Sequence, residues 1–428
     1  MRCQLRELSV CFGLLLTAAH LGAAVVPVAT AGQLTAAIDG AAPGDVITLA
    51  AGTYNFSQNL NCDSAGTADA PIRVRAETFG SVLLRFDMVE GFKVSAPHWI
   101  FENLDIEGVC ASHSNCEHAF HLFNQADFTR IRDCRLRDFN AQIKSNGAGN
   151  PFLYPDDVVV ERCELANRTA RSTGNPVTPI DVVGGRRWIV RSNFIHDHQK
   201  AGGDTISYAA FFKGNSRDGL FERNLVICEM DHSGGVRLGL SLGGGGTGPD
   251  SICEDGTCNP EHQNGTLRNN LIVSCPADVG IYLNEATGTR VFHNTLIETT
   301  GIDVRFVAST AEVRNNLVSG QIRNRDGGTS TQSNNLTSLT LGQYQSFFAD
   351  PLLPDLSLLN GTSFVDLGTT VAVASDYCGL LRRGAPDRGA LEYPVATPCD
   401  TSMPGGGADI FFDGFETGGT GQWSLRLP

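Results

Sequence analysis

One short pattern of apolar and polar positions recurs through the middle of the chain. An apolar residue is followed by two polar residues, then an Asn or Cys, then a further apolar pair. The pattern reads IRDC at 131–134, VERC at 160–163, VRSN at 190–193, FERN at 221–224, LRNN at 267–270, VFHN at 291–294 and VRNN at 313–316. Its fourth positions are 29, 30, 31, 46, 24 and 22 residues apart, which is the bounded, irregular spacing of coils in a solenoid.

Between these phrases, apolar and polar residues alternate with a period of two. Ile281 and Leu283 alternate with Tyr282 and Asn284, so successive side chains point to opposite faces of a strand. Two-residue hairpin turns are sparse, which argues against an antiparallel array. Coils of about 22 to 31 residues with two or three short strands predict an all-β fold, a single-stranded right-handed parallel β-helix. Its Asn residues should stack into an internal hydrogen-bonded ladder.

The ends of the chain differ from this repeating centre. Residues 1–31 carry two Arg, an apolar run and the sequence ATA at 29–31, the pattern of a secretory signal peptide. Residues 32–393 form the predicted β-helix domain. The Pro- and Gly-rich residues 394–407 are a linker by composition, and 408–428 form a C-terminal tail that is interpreted either as a surface-attachment segment or as a last strand on the barrel end.

Composition narrows the possible partners. The 428 residues carry a formal net charge of -14, which argues against binding to nucleic acid. After the signal there is no apolar run of the roughly 18 residues that span a membrane. We expect a secreted monomer that is extracellular, periplasmic or held at the cell surface.

The chain has 13 cysteines, two of them in the signal segment. Export would permit disulfides between Cys residues that are close in sequence or in successive coils. The predicted pairs are Cys110 with Cys116, Cys253 with Cys258, Cys378 with Cys399, and Cys228 with Cys275. Cys134 and Cys163 occupy the Asn position of the repeat. They are either small buried side chains or a disulfide bridge.

Counting back 11 to 13 residues from each Asn or Cys anchor aligns a strip of outward polar residues. It contains His121, Asp181 and Lys213, and the next coils add Arg237, Tyr282 and Asp303. Cations for carboxylates or sulfates, an aromatic face for a sugar ring and a base are what a saccharide groove needs. The strip therefore predicts an acidic polysaccharide as the partner, with His121, Asp181, Tyr282 and Asp303 binding it.

Three segments carry a resemblance to a known family. LTAAIDGAAPGDVITLAAGTY at 34–54, GTADAPIRVRAE at 66–77 and WIFENLDIEG at 99–108 resemble the opening of the pectate-lyase-like superfamily, closest to the chondroitinase-B and alginate-lyase-like polysaccharide lyases. The segment 348–393 is similar to the closing part of many secreted bacterial β-helix proteins. The resemblance covers about 32–393 and implies a short N-terminal capping helix followed by the right-handed parallel β-helix.

The resemblance also implies roles for two of these residues. In such lyases a Lys removes the C5 proton of a uronate and an Arg on the next coil lies near the scissile oxygen. Lys213 and Arg237 look like that pair, and their proximity and partial burial should lower the pKa of Lys213. The function implied is a lyase that cleaves a uronate-containing polysaccharide by β-elimination.

The sequence departs from that family at its calcium motif. The family's paired Glu residues are missing before Lys213, where GGDTISYAAFF at 202–212 contains only Asp204, and Asp181 lies one coil earlier. Calcium takes about six to eight oxygen ligands, so no metal ligands are assigned and the cofactor remains unknown, with calcium possible.

Two alternatives stay open. HDH at 196–198 and DH at 231–232 could bind a metal, but they lie on a different side of the coil from Lys213 and are interpreted as polar loop residues. The alternative function is a non-catalytic β-helix surface protein that binds glycans or acts as an adhesin. The insertion at 242–265 is interpreted either as a wall or lid beside the groove, stiffened by the Cys253–Cys258 pair, or as a surface insertion that the fold tolerates.

Overall fold

The computed structural model describes residues 24–393, which form a parallel β-helix with three long faces. The 394–407 linker, the 408–428 tail and Cys399 lie outside the described residues. We name the faces sheets A, B and C. In sheet A the strands are Val25–Val28, Val46–Leu49, Ile72–Ala76, Trp99–Glu102, Arg130–Arg132, Val159–Glu161, Ile189–Arg191, Leu220–Glu222, Thr266–Arg268, Thr289–Phe292, Thr310–Arg314 and Thr329–Ser333.

The other two faces follow in each coil. The strands of sheet B are Gly52–Phe56, Val82–Phe86, Asp105–Gly108, Arg135–Arg137, Glu164–Ala166, Phe194–His196, Leu225–Ile227, Leu271–Cys275, Thr295–Thr299 and Leu317–Val318. The strands of sheet C are Leu60–Cys62, Glu90–Val94, His118–Phe123, Ala141–Asn146, Ile180–Val183, Ile206–Lys213, Val236–Leu242, Ile281–Asn284, Gly301–Arg305 and Gln321–Arg325. The predicted parallel β-helix is confirmed.

Shorter elements complete the described chain. Three short strands form a small additional sheet, and two antiparallel strands follow the last coil; they are Ser216–Arg217, His262–Gln263 and Ala286–Thr287, then Phe348–Asp350 and Asp355–Leu358. The helices are α1 (Ala31–Asp39) and α2 (Leu341–Phe347), with 3-10 turns at His113–Asn115 and Asp250–Ile252. No helix in residues 24–393 has the length and apolarity to cross a membrane.

The predicted capping helix is α1, which covers the first coil. The Thr30 side chain accepts a hydrogen bond from the Gln33 amide at its N-terminus, and Leu34 and Ile38 are buried against the core. The strand Val25–Val28 pairs in parallel with Val46–Leu49. Both the strand and the helix cap thus lie within the stretch that the sequence assigned to a signal peptide ending at residue 31.

The repeated phrase forms the corner between sheets A and B. Its fourth positions stack, and each Asn amide donates to the side-chain oxygen of the next coil, as from Asn193 to Asn224 at 3.0 Å and from Asn270 to Asn294 at 2.9 Å. Cys134 and Cys163 occupy the same positions as free, buried thiols. The residue before each anchor has positive φ, including the non-glycine residues Arg162 and His293. The corner is therefore set by a left-handed residue followed by a buried amide or thiol.

Two features close the fold outside the coils. Residues of the closing segment, among them Tyr344 and Phe364, pack against the outer face of sheet B, where the Tyr344 hydroxyl donates to the Leu296 carbonyl at 2.8 Å. Disulfides join Cys110 to Cys116, Cys228 to Cys275 and Cys253 to Cys258, as predicted.

Candidate active site

The outer face of sheet C carries one row of residues that are register partners from coil to coil. We call it the central row; it contains Lys93, His121, Lys144, Asp181, Phe211, Ser241, Tyr282, Asp303 and Arg323. All four predicted substrate-binding residues lie in this row. Neighbouring strands are about 4.8 Å apart, so the six steps from His121 to Asp303 span about 29 Å. The four residues therefore line a long strip and do not meet at one point.

Lys213 lies two residues beyond the central row, where its register partner in the preceding coil is Val183. Its amine donates to the Gly246 carbonyl at 2.9 Å and lies 4.8 Å from the ring centroid of Phe211. Burial lowers the pKa of Lys213, and the charge of Lys144 lowers it further, while Asp181 and Glu261 raise it. A half-buried amine with a lowered pKa is suited to remove a proton.

Arg237 does not lie beside Lys213, which contradicts the geometry predicted from the sequence. Phe212 pairs with Leu242, so Lys213 is level with Gly243, six residues beyond Arg237 on the adjacent strand. Six residues of strand span about 20 Å. The lowered pKa of Lys213 is confirmed, but its causes are burial and Lys144, and Arg237 is not among them.

The surroundings of Arg237 give it a structural role. The side chain is 1% exposed, its Nε donates to the Gly234 carbonyl at 2.9 Å, and another guanidinium nitrogen donates to the Cys228 carbonyl. A third nitrogen lies 3.1 Å from His232 Nδ1. Because these contacts use its donors inside a turn, Arg237 is not available to a sugar on sheet C.

The first residues of the 242–265 insertion cover Lys213, which agrees with one of the two interpretations of the sequence, and we call the insertion the lid. Gly243, Gly244 and Gly246 have positive φ, a conformation that favours glycine, and Gly244 packs against Phe211 and Lys213. We call 243–246 the glycine loop. Its amide at Gly244 donates to Ser241 Oγ at 3.1 Å, and its Gly244 carbonyl accepts from Asn284.

The rest of the insertion is tied to two other parts of the chain. The buried carboxylate of Glu261 accepts from the Gly214 amide at 2.7 Å, next to Lys213, and from the Thr247 hydroxyl at 2.7 Å. On its outer side, the Tyr154 hydroxyl donates to the Ile252 carbonyl at 3.1 Å. These contacts hold the lid against the C-terminal end of the strand that carries Lys213 and against the loop that follows Asn146.

His121 is oriented by hydrogen bonds on both ring nitrogens. Nδ1 lies 2.7 Å from the Glu90 carboxylate and Nε2 lies 2.8 Å from Asn146 Oδ1. The hydrogen bond with His121, and a second one from Lys93, lower the pKa of Glu90 to about 2 against the opposing effect of burial. Neighbouring His118 is half-buried, and its partial removal from solvent together with His121 and Lys144 lowers its pKa to about 4. At this end of the strip, the ion pair of Glu90 and Lys93 lies near a neutral His118.

The sequence prediction missed Lys93 and Lys144. The Lys144 amine lies 2.7 Å from Asp181, and the Lys93 amine lies 2.9 Å from Glu90. The scarcity of lysine could have identified both, because the chain has only four lysines but 28 arginines. Three of the four, Lys93, Lys144 and Lys213, lie on the outer face of sheet C.

The far end of the central row is closed by ion pairs. Asp303 is 1% exposed, and its two carboxylate oxygens accept from Arg323 at 2.6 Å and Arg325 at 2.5 Å. The Tyr282 hydroxyl accepts from Arg305 at 3.2 Å. Tyr282 itself is buried, so a sugar at this end would meet arginines and not a free carboxylate.

The donor set does not fit a calcium site. Within residues 24–393 no group of three or more His, Cys, Asp or Glu side chains is placed to hold a metal ion. Of the two carboxylates considered from the sequence, Asp181 is bonded to Lys144, and Asp204 is bonded to Lys200 at 2.7 Å near the opposite end of the strand that carries Lys213.

The histidines at 196 and 198 belong to a buried network on sheet B. His196 Nδ1 lies 2.8 Å from Asp197 and Nε2 lies 3.5 Å from Glu164. Burial opposes its protonation, but these carboxylates raise the pKa of His196 to about 9. His198 donates to the Leu238 carbonyl at 3.1 Å. The network holds the turn and does not face Lys213.

Comparisons with known proteins agree with the fold and with the resemblance read from the sequence. Residues 28–204 match the family model described as Chondroitinase B; this segment is less than half of the chain and ends before Lys213. The structure is similar to pectate lyase Pel9A, with a TM-score of 0.57 at 15% identity over 84% of this chain and 90% of that chain.

Other similar structures are a rhamnogalacturonan lyase, with a TM-score of 0.48 at 15% identity over 69% of this chain and 81% of that chain, and an alginate lyase from Paenibacillus sp. str. FPU-7. The latter has a TM-score of 0.36 at 16% identity over 73% of this chain and 99% of that chain. No curated protein sequence matches. At 15% identity, the likeness to pectate lyase Pel9A shows a shared fold alone.

Proposed function

We propose that this parallel β-helix chain, which resembles the polysaccharide lyases, cleaves a uronate-containing polysaccharide by β-elimination on the outer face of sheet C. The observation that carries the proposal is Lys213, an amine with a pKa lowered by burial, at the edge of a row that contains two further lysines and a histidine. The family match at 28–204 and the fold shared with a pectate lyase support it.

The proposed chemistry assigns different work to the lysines. A C–H bond alpha to a carboxylate is only weakly acidic, so a base and neutralisation of the carboxylate are both needed. Lys213 supplies the base once its proton is lost. Lys144, whose amine pairs with Asp181 at 2.7 Å, must exchange that partner for the carboxylate of the substrate, and His121 positions a neighbouring sugar. The glycine loop must move from the Lys213 amine before a sugar enters.

The proposal also covers the chain's destination. We propose that the protein is exported, since its predicted signal segment and the three disulfides described above within residues 24–393 fit an oxidising compartment. If a leader is removed, cleavage should fall before Val25, because cleavage at residue 31 would remove the edge strand Val25–Val28 and the helix cap at Thr30. Sequencing of the mature N-terminus tests this point.

The experiment is a screen of alginate, pectate, chondroitin and dermatan, each with and without calcium, read by the ultraviolet absorbance of an unsaturated uronate and by mass spectrometry of the products. The wild-type chain should give unsaturated products from at least one polymer, and Lys213→Met should abolish them. Lys200→Met is the matched control, because Lys200 is the one lysine that lies away from sheet C, and it should retain activity if folded.

One observation favours the second candidate, a glycan-binding protein without catalysis. In the structure the Lys213 amine is covered by the glycine loop and bonded to the Gly246 carbonyl. Binding of a polymer without any product, together with little loss of affinity in Lys213→Met, would establish that function and reject the lyase.

A further inference from the structure

β-Elimination needs a proton donor for the departing glycosidic oxygen as well as a base. The sequence suggested Arg237 for that position, but Arg237 lies about 20 Å along the sheet from Lys213 and its donors are used by backbone carbonyls. A donor must instead come from the surroundings of Lys213, so the side chains on the same strand and under the same lid are the candidates.

Tyr208 lies on the strand Ile206–Lys213, five residues before Lys213. Its ring meets Phe211 edge to face with centroids 5.5 Å apart, and the Lys213 amine lies 4.8 Å from the same Phe211 ring. The two side chains therefore flank one phenyl ring on the outer face of sheet C.

The glycine loop contacts both side chains over three consecutive residues. Gly244 packs on Phe211 and Lys213, and the Gly246 carbonyl accepts from Lys213. Between them, Gly245 lies so close to Tyr208 that a β-carbon at this position would be 3.4 Å from the hydroxyl oxygen. The space that opens when the loop moves is thus bordered by the Tyr208 hydroxyl on one side and the Lys213 amine on the other.

The hydroxyl of Tyr208 differs from those of the nearby tyrosines. The Tyr154 hydroxyl donates to the Ile252 carbonyl and the Tyr282 hydroxyl accepts from Arg305. Among the described residues, no hydrogen-bond partner is recorded for the Tyr208 hydroxyl. Burial raises the pKa of Tyr208, with smaller contributions from Tyr282 and nearby carboxylates, so this phenol keeps its proton at neutral pH.

We propose that Tyr208 is the catalytic acid that protonates the leaving oxygen, with Lys213 as the base; the assignment rests on the proposed lyase function. The neutral Lys213 amine takes the C5 proton, the C–H electron pair forms the C4–C5 double bond, and the C4–O bond breaks with its electron pair on oxygen. That oxygen takes the Tyr208 proton. The resulting Lys213 ammonium and Tyr208 phenolate are reset by proton transfer through water.

The test uses Tyr208→Phe, with Tyr344→Phe as the matched control because it also removes one tyrosine hydroxyl, which donates to the Leu296 carbonyl at sheet B, away from Lys213. Each variant is assayed on the polymer identified by the screen and on a synthetic uronide with a nitrophenoxide at C4, a leaving group that needs no proton. Tyr208→Phe should lose about 10²-fold or more of kcat on the polymer and remain within a few-fold of wild type on the nitrophenoxide substrate. Tyr344→Phe should keep both activities, and Lys213→Met should lose both.

The outcomes separate this assignment from the function on which it rests. If the wild type cleaves the polymer but Tyr208→Phe behaves like Tyr344→Phe, loses activity on both substrates equally, or raises KM with kcat unchanged, Tyr208 is not the acid. If the wild type eliminates neither substrate, the lyase function itself fails. Thermal unfolding of each variant checks that a lost activity is not a lost fold.

Discussion

The outer faces of sheets A and C use charge in opposite ways. On sheet A, one residue per coil alternates in sign through Arg75, Glu102, Arg132, Glu161, Arg191, Glu222 and Arg268, all register partners. On sheet C, the central row places Lys93, His121 and Lys144 next to one another. Opposite charges on adjacent strands stabilise a sheet and like charges destabilise it. The first face pairs charges of opposite sign from coil to coil, whereas the second groups two lysines and a histidine, with Glu90 and Asp181 as their carboxylate partners.

The kind of cation differs as well. Every cation in the sheet A row is Arg, while three of the chain's four lysines are on sheet C. Arg binds carboxylates with two parallel hydrogen bonds and keeps its proton, whereas Lys can lose its proton when it is buried. Permanent ion pairs therefore use Arg, and the face proposed to exchange a proton uses Lys.

The largest expected effect comes from Lys213→Arg, which keeps the charge but removes the ability to act as a base. We expect kcat to fall about 10²- to 10⁴-fold, the usual contribution of a general base, with thermal stability close to that of wild type. Steady-state kinetics on the polymer that the wild type cleaves measures it. Equal activity of Lys213→Arg and wild type would remove the distinction between the two faces.

On sheet A the corresponding change should affect stability and leave catalysis intact. Glu161 is 5% exposed and accepts from Arg191 at 2.8 Å. Glu161→Gln should lower the free energy of unfolding by about 1 to 3 kcal/mol, because a charge-assisted hydrogen bond is lost, with kcat unchanged. Glu312→Gln is the control on the same face; its pair with Arg314 is exposed and should be worth less than about 1 kcal/mol. Denaturant unfolding compares them.

The pH dependence gives this prediction a sign. Burial raises the pKa of Glu161, but the hydrogen bond from Arg191 and the charges of Arg162, Arg191 and Arg132 outweigh it and lower the pKa below its ordinary value of 4.5. A carboxyl whose pKa is lower in the folded state stabilises the fold above pH 4.5, and the contribution disappears as the pH falls through the folded value. The stability difference between wild type and Glu161→Gln should therefore shrink in acid; a difference that grows there would contradict the ion pair.

The architecture could be predicted from the sequence because a coil corner has a strict local requirement. At a buried corner the polar backbone groups need hydrogen-bond partners, and the Asn side chain supplies them. The phrase therefore repeats visibly at Asn193, Asn224 and Asn270. The alternation of Arg and Glu in sheet A is written in the second letter of the same phrases, from IRDC through VERC and VRSN to FERN and LRNN.

The site could be predicted only where the coils have equal lengths. Counting back 11 to 13 residues from the anchor correctly places His121, Asp181, Tyr282 and Asp303 in the central row. The coil of Lys144 carries an extra loop, so Lys144 lies 19 residues before Cys163 and is missed. The coil that contains Arg237 is lengthened by the 242–265 insertion, which follows its sheet C strand. In that coil the residue in the central row is Ser241 and not Arg237. Insertion length is set by loop packing, which the repeat does not encode.

The smallest expected effect tests whether the charges on sheet C act together. Asp181, Lys144 and Glu261 influence Lys213, and the two carboxylates raise its pKa. Asp181→Asn removes one of them, so the pKa of Lys213 should fall further and the neutral amine should persist to lower pH. The acid limb of the kcat profile should then move toward lower pH, giving a several-fold change in relative activity at most. Glu161→Gln, on the opposite kind of face, should leave that limb in place. A shift of the limb toward higher pH would mean that Asp181 does not act on the base through its charge, and that the cations of sheet C are tuned by something other than their neighbours in the row.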